Sequence, residues 1–420
     1  MPKEKIITGI DIGSTKISTT VASVSENKVS VIGVSGNVPS KGINKGNIVD
    51  IDVAVEVISN SLERAERMAG VSVSSAYVTI NGSHIETKNS HGVVAINPHN
   101  NSEISPDDVA RVVEAAQAIS LPSTREVIHV IPRDFIVDSQ DGIKDPVGMS
   151  GVRLEVETNI IHASSTAMKN LVKCVQQVGV NVDDLVYTGI ASAEAVLTDT
   201  EKELGTILVD IGGGTSSMIA FLEGSPVYSS VLPIGAKHVT IDLAYGLKAR
   251  LEDAEKIKLT LSEEKYDSLA ASMDKTKRNE EIDLSEYGLE TESLPKKFLY
   301  EIMEARMNEI FTLIALEIKK ANLSGKMPAG IVLTGGGALT GGIEKVAKNV
   351  LKLPVRIGYP KGVTGLIDEI QGPAFAATVG AVLYGVNLNK SQSVLSLDKN
   401  RGKLNSSFSK LLDKLKSFLP

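Results

Sequence analysis

Residues 6–15 read IITGIDIGST, and residues 206–215 read TILVDIGGGT. Each is an apolar, β-rich run that ends in Asp-Ile-Gly and then in small or hydroxylated residues. The two aspartates, Asp11 and Asp210, lie 199 positions apart in a chain of 420. After each motif comes a second strand-like stretch, Lys16 to Ser23 in one case and Ser216 to Leu222 in the other. The pattern predicts two related halves, each opening with a β-hairpin. A third strand-like run, GIVLTGGGA over 330–338, ends in another glycine-rich turn.

Helical periods separate these runs. Ala54 to Met68, Thr166 to Val178 and Lys297 to Lys320 space their apolar residues three and four apart. Asp107 to Ile119 follows Ser105-Pro106, a natural N-cap and first-turn pair. Strands alternating with helices predict α/β layers. The rhythm breaks over 84–161, where Gly92 to Ile96, Val127 to Ile131, Phe135 to Val137 and Val152 to Val156 surround one helix. That segment reads as a small α+β insertion. A second insertion is expected over 241–305, where charge is dense. Residues 388–403 show neither period and read as irregular, with a flexible tether over 391–403.

Composition narrows the function. Aromatics are 4% with no Trp, and net charge is −7, which argues against a stacking platform for nucleic acid. A single Cys, Cys174, excludes an internal disulfide and a cysteine zinc cluster and suits a reducing cytosol. The six His have no metal-ligand spacing. No apolar core follows the charged first residues, so no signal peptide is expected, and no run is apolar enough to span a bilayer.

Three glycine-rich turns after strands predict a phosphate site. A glycine in a tight turn lets backbone N–H groups approach an anion without a Cβ in the way. Gly13, Ser14 and Thr15 would supply donors in the first half, and Gly212, Gly213, Gly214 and Thr215 in the second. Lys16 adds a point charge beside the first loop. Asp11 and Asp210, at strand ends, could hold the water shell of Mg²⁺. Neither a P-loop nor a G-x-G-x-x-G after the first strand is present.

The segment 404–420 carries a separate signal. Leu404, Phe408, Leu411, Leu412, Leu415, Phe418 and Leu419 fall on one helical face, with Lys410, Lys414 and Lys416 on the rest. From Arg401 onward five basic residues face one Asp, a local charge of +4 that leaves −11 for the remainder. A basic amphipathic helix on an acidic body reads as an interfacial membrane anchor. Docking on the body or on a partner is the alternative.

The paired DIGST and DIGGGT hairpins with the later LTGGGA turn resemble the actin/Hsp70/sugar-kinase superfamily. NSHGVVAI (89–96), REVIHVIPRDFIVDSQDGIKDPVGMSGVRLE (125–155) and PIGAKHVTIDLA (233–244) are similar to the FtsA family of bacterial cell-division proteins. The likeness extends over nearly all of 5–390. It implies an actin-like (ribonuclease H-like) duplicated two-domain α/β fold with an inserted subdomain and a C-terminal amphipathic helix. The implied first core spans 1–83 and 162–200 around the 84–161 insertion. The second spans 201–240 and 306–390 around 241–305. ATP with Mg²⁺ is the implied ligand. Gly13 to Lys16 and Asp210 to Thr215 would grip the phosphates, and Gly335, Gly336, Gly337 and Ala338 would pack on the adenosine. Glu255 and Lys258 would line the ribose and base, an exposed charged helix face being the alternative. Glu194 would orient an attacking water, or be a surface glutamate. The implied partner is an acidic C-terminal peptide of FtsZ. It would contact Lys296, Lys297 and Arg306, which otherwise read as a solvated face. Self-association, other division proteins and the cytoplasmic face of the inner membrane complete the expectation, with ATP turnover at most slow. A pilus-assembly relative of FtsA and a sugar-kinase-like phosphotransferase remain as alternatives.

Overall fold

The computed structural model describes residues 4–25, 28–96, 103–263, 280–287 and 293–397, with backbone only at 37 and 390–397. The first half is built on strands β1 (Lys5–Ile12), β2 (Lys16–Ser25) and β3 (Lys28–Pro39), then a small hairpin of β4 (Ile43–Asn44) and β5 (Asn47–Ile48). Helix α1 (Ile51–Ala69) and β6 (Ser75–Ile80) follow. Asp50 caps α1 by accepting the Val53 N–H, and Gly70 ends it in the left-handed region. The insertion comes next: β7 (Glu86–Ala95), α2 (Pro106–Gln117), β8 (Arg125–Val137), β9 (Gln140–Ile143) and β10 (Arg153–Ser164). Ser105 and Asp108 form a capping box at the start of α2. The chain returns through α3 (Ser165–Gln177), β11 (Asn181–Tyr187) and α4 (Thr188–Val196).

The second half repeats the plan. Helix α5 (Asp199–Leu204) leads into β12 (Thr206–Ile211), β13 (Ser216–Leu222) and β14 (Ser225–Leu232). Then come α6 (Lys237–Leu247), α7 (Leu251–Glu263), a two-stranded piece of β15 (Glu281–Asp283) and β16 (Ser293–Pro295), and α8 (Lys296–Lys320). The chain finishes with β17 (Ile331–Thr334), α9 (Ile343–Leu351), β18 (Val355–Ile357), β19 (Thr364–Gly365) and α10 (Ala376–Leu397).

The duplication is visible in the strand order. One sheet runs β11-β6-β1-β2-β3-β19 and the other β14-β13-β12-β17-β18. In both, an antiparallel three-stranded meander meets two further strands in parallel pairing. The insertion has its own antiparallel sheet, β7-β10-β8-β9, with α2 packed on it. Three apolar clusters centre on the three units, on residues such as Ile10 and Ile58, Val209 and Phe311, and Val112 and Phe135, and the first extends across the halves to Leu208, Ile219 and Val332. Each fully buried side chain of this size contributes roughly 1.5–3 kcal/mol.

Helices α4 and α10 cross between the two sheets. A Cβ built at Gly380 would stand 1.6 Å from the Ala191 carbonyl oxygen, so only glycine permits the approach. Helix α10 also corrects one expectation. Residues 388–397 continue the helix instead of beginning an irregular segment. The buried stretch before them has already met the cost of nucleation, and neither Gly nor Pro interrupts propagation there. The remainder of the expected tether and the amphipathic segment 404–420 lie outside the described residues. Among the described residues no helix is long and apolar enough to cross a membrane.

Candidate functional site

The β1–β2 and β12–β13 turns face each other across a cleft of about 740 Å³ between the halves, a size typical of small-ligand sites. Approach is close. A Cβ at Gly213 would lie 1.9 Å from Thr15 Oγ1, and one at Gly214 would lie 3.0 Å from Ser14 Cβ and Oγ. Each loop is a closed turn: the Gly13 N–H donates to the Lys16 carbonyl at 3.1 Å and the Gly212 N–H to the Thr215 carbonyl at 2.9 Å. Gly235 packs on the second loop, and the Ala236 and Lys237 N–H groups bond the Gly212 and Gly213 carbonyls.

The floor of the cleft is charged. Asp11 accepts from Thr79 Oγ1 at 2.6 Å, and Asp210 accepts from Ser192 Oγ at 2.5 Å. Burial raises the pKa of Asp11 above its ordinary value. Burial, reinforced by Asp11, pushes Asp210 up to about 7 against the lowering pull of Ser192 and Lys16. Burial also lowers Lys16, against the opposing attraction of Asp11 and Asp210. The Lys16 Nζ is buried with no hydrogen-bond partner, and its contact is the Phe375 ring, with the centroid at 4.0 Å. A buried ammonium without an acceptor is costly, and a phosphate oxygen in the cleft would supply one. Among the described residues no group of three or more His, Cys, Asp or Glu could hold a metal alone. Asp11 and Asp210 are hard oxygen donors at one cleft floor, a set that would suit Mg²⁺ held mainly by water and phosphate.

The cleft wall on the α7 side has a different character. Leu251, Leu259 and Leu339 line it and are each about half exposed (48%, 50% and 48%). Lys258 Nζ donates to Glu255 at 2.8 Å and to Thr240 Oγ1 at 3.1 Å, and Thr240 donates to Glu255. Ser262 Oγ accepts from the Gly341 N–H at 3.0 Å, which ties α7 to the third glycine turn.

The structure brings together Asp11, Gly13, Ser14, Thr15, Lys16, Asp210, Gly212, Gly213, Thr215, Glu255, Lys258, Gly335, Gly336 and Gly337 as cleft lining. Gly214 and Ala338 sit behind it; Gly214 packs on Ser14 and Lys45, and Ala338 is fully buried. Glu194 is elsewhere. It bonds Lys202 and Asn387 and braces α4 against α5 and α10. Thr188, at the start of the same helix, is the residue that lines the cleft. Six residues at about 1.5 Å each carry Glu194 roughly 9 Å away along the helix.

The expected basic cluster on α8 is not one patch either. At about 3.6 residues per turn, Lys297 and Arg306 point to opposite sides. Arg306 holds Asp242 with two nitrogens (2.5 and 2.8 Å) and also pairs with Glu309. Lys296 reaches Glu280 at 3.7 Å and is largely covered, whereas Lys297 is exposed beside Glu301. Cleft residues that sequence reasoning missed include Asn81, Thr188, Lys237 and Thr240. Asn81, Thr188 and Lys237 sit at element ends and Thr240 one turn into α6, and Lys237 and Thr240 fall in the 233–244 stretch, which showed a likeness but not which of its residues line the cleft. The membrane-facing candidates Leu404, Phe408, Lys410, Leu411, Leu412, Lys414, Leu415, Phe418 and Leu419 lie outside the described residues.

Two related sheets, facing glycine hairpins and paired aspartates define an actin-like two-domain protein. Solved structures agree on the fold. A "PilM-PilN type IV pilus biogenesis complex" chain covers 90% of this chain and 98% of its own at a TM-score of 0.63 and 16% identity. MreB5 of Spiroplasma citri, in a structure described as bound to AMPPNP, covers 94% and 99% at 0.54 and 14%. Family profiles then narrow the class: "SHS2 domain inserted in FTSA" matches residues 82–162, and "Cell division protein FtsA" matches 207–380. Cell division protein FtsA of Borreliella burgdorferi is 40% identical over 406 residues, 96% of each chain. That of Pseudomonas aeruginosa is 36% identical over 417 residues, 99% of this chain and 97% of its own. The chain belongs to the FtsA family of cell division proteins.

Proposed function

We propose that this protein binds Mg²⁺-ATP in the cleft between its halves and links FtsZ to the cytoplasmic face of the bacterial inner membrane, assembling there with copies of itself. The observation that carries the nucleotide reading is Lys16: a buried ammonium with no hydrogen-bond acceptor, beside a cleft that both glycine loops line. Gly13 to Lys16 and Gly212 to Thr215 would hold the phosphates, with Asp11 and Asp210 on the hydrated Mg²⁺, which neutralises phosphate charge when bound. The base would lie between Leu251, Leu259 and the 335–339 turn, with Glu255 and Lys258 beside the ribose.

The membrane role rests on the sequence of 404–420, whose apolar face and lysines suit an anionic lipid surface. FtsZ contact and self-association rest on family membership; of the three α8 basic residues, Lys297 is the one accessible to an acidic peptide. Calorimetry with Mg²⁺-ATP tests the central reading. Wild-type protein should bind and Lys16→Met should not. A wild-type chain without measurable affinity for any adenine nucleotide overturns it.

A further inference from the structure

Asn81 is a cleft residue that neither hairpin motif contains. It follows β6 in the first half, yet its side chain reaches the second. Its Nδ2 donates to Thr215 Oγ1 at 3.1 Å, and its Oδ1 accepts from Ser217 Oγ at 2.9 Å. The amide orientation is fixed, because Oδ1 also accepts from the Gly82 backbone N–H at 2.8 Å, and that group can only donate. Proton directions follow. Thr215 Oγ1 is an acceptor towards Asn81, so its own hydrogen must go elsewhere. Among the described residues that hydrogen has no acceptor, and the second Nδ2 hydrogen has no partner. Both residues line the cleft. The Asn81–Thr215 pair therefore presents two hydrogens and no competing carboxylate oxygen, the polarity an anion needs.

Position supports the same ligand. Gly46 packs on the Asn81 and Gly82 backbone, and its N–H donates to Ser14 Oγ at 3.0 Å; Ser14 in turn packs on Gly214. These residues form one group. The half-exposed leucines of α7 and the third glycine turn form another, joined through Ser262 and Gly341. An apolar wall suits a base, which leaves the donor-rich group for the far end of a nucleotide.

We propose that Asn81 is the residue that detects the terminal phosphate, and that through Thr215 and Ser217 it fastens the second hairpin to the first half when that phosphate is present. This rests on the reading of the cleft as a nucleotide site. A triphosphate would take both free hydrogens, whereas a diphosphate would leave them unused. The latch would then favour the closed cleft for ATP over ADP by their differential contact alone.

The test is calorimetric titration of the full chain with ATP, ADP and adenosine in Mg²⁺. Asn81→Asp keeps an oxygen to accept from Ser217 and Gly82 but replaces the cleft-facing donor with a negative charge. It should reduce the preference for ATP over ADP at least tenfold and leave adenosine binding unchanged. Asn81→Ala removes the donor without adding charge, and it should move the ratio in the same direction by less. Thermal melting identifies a variant that fails to fold, in which case the other variant carries the test. If Asn81 only fastens the halves, Asn81→Ala will weaken ATP and ADP alike and keep the wild-type ratio, whatever the added charge of Asn81→Asp does, and that result overturns the inference while the nucleotide reading stands. Wild-type protein that binds none of the three ligands overturns both.

Discussion

Replacing Gly213 with Ala adds one methyl group to the place where the two phosphate loops come closest. The backbone there lies outside the left-handed region, so alanine adds no torsional strain and contact is the whole perturbation. The new Cβ would stand 1.9 Å from Thr15 Oγ1 and 2.9 Å from both Cβ and Cγ2 of the same residue. Rotation about χ1 can move the hydroxyl, but Thr15 Cβ stays where the backbone puts it. Relief to an ordinary contact of 3.4 Å therefore needs the loops to part by about 0.5 Å at the least, and by about 1.5 Å if the rotamer holds. A two-sided grip on phosphate tolerates this poorly. Charge-assisted hydrogen bonds contribute about 1.5–3 kcal/mol each and weaken as they lengthen. Allowing for loops that yield in part, ATP affinity should fall roughly ten- to a hundredfold, or about 1.4–2.8 kcal/mol. Calorimetry reads this directly, with melting temperature as the control for folding. Thr15→Gly removes all three contacting atoms, so the double variant should recover most of the loss, giving a coupling of about 1 kcal/mol or more. Unchanged affinity in Gly213→Ala, or an equal loss with and without Thr15, would refute the facing-loop geometry as the cause.

Other expectations concern separate parts of the molecule. Glu201 caps α5 and holds Arg356 with both oxygens (2.7 and 2.8 Å), and these hydrogen bonds outweigh burial to lower its pKa from 4.5 to about 2. A depressed carboxylate stabilises the fold fully above pH 4.5 and progressively less as pH falls towards 2. Glu201→Gln should thus cost about 1–3 kcal/mol in denaturant melts at pH 7, with the gap closing in acid. A truncation at Gly402 should no longer sediment with anionic liposomes. Phe408→Glu with Leu415→Glu should release the full chain at any salt concentration, whereas Lys410→Gln with Lys414→Gln should do so mainly at low salt, where charge is least screened. Full pelleting of the truncated chain would place the anchor elsewhere. On α8, Lys297→Glu should weaken binding of an acidic FtsZ peptide without changing the melting temperature. Arg306→Glu should instead destabilise the fold by about 3 kcal/mol, because it sets a second carboxylate against Asp242.

The sequence by itself determined the repeating plan and the chemistry of the two loops. The Asp-Ile-Gly motifs could be read because a strand followed by a glycine turn is a local event, and it recurs after 199 positions. Tertiary structure decided what stands around those loops. Thr79 and Ser192 fix the two aspartates from β6 and α4, while Asn81 and Lys237 line the cleft from the end of β6 and the start of α6, and nothing in the local pattern of these segments gives that placement. The same limit explains the misplaced residues. Helical period gives Glu194 a face but not its distance from the cleft, and that distance depends on where α4 begins. Spacing alone grouped Lys296, Lys297 and Arg306, whereas helical geometry and the Asp242 pairing separate them. Local pattern specifies an element and its exposed chemistry. Which side chains meet across the cleft depends on how two sheets, an insertion and the α4–α10 crossing dock, and that is settled by packing between residues distant in the chain.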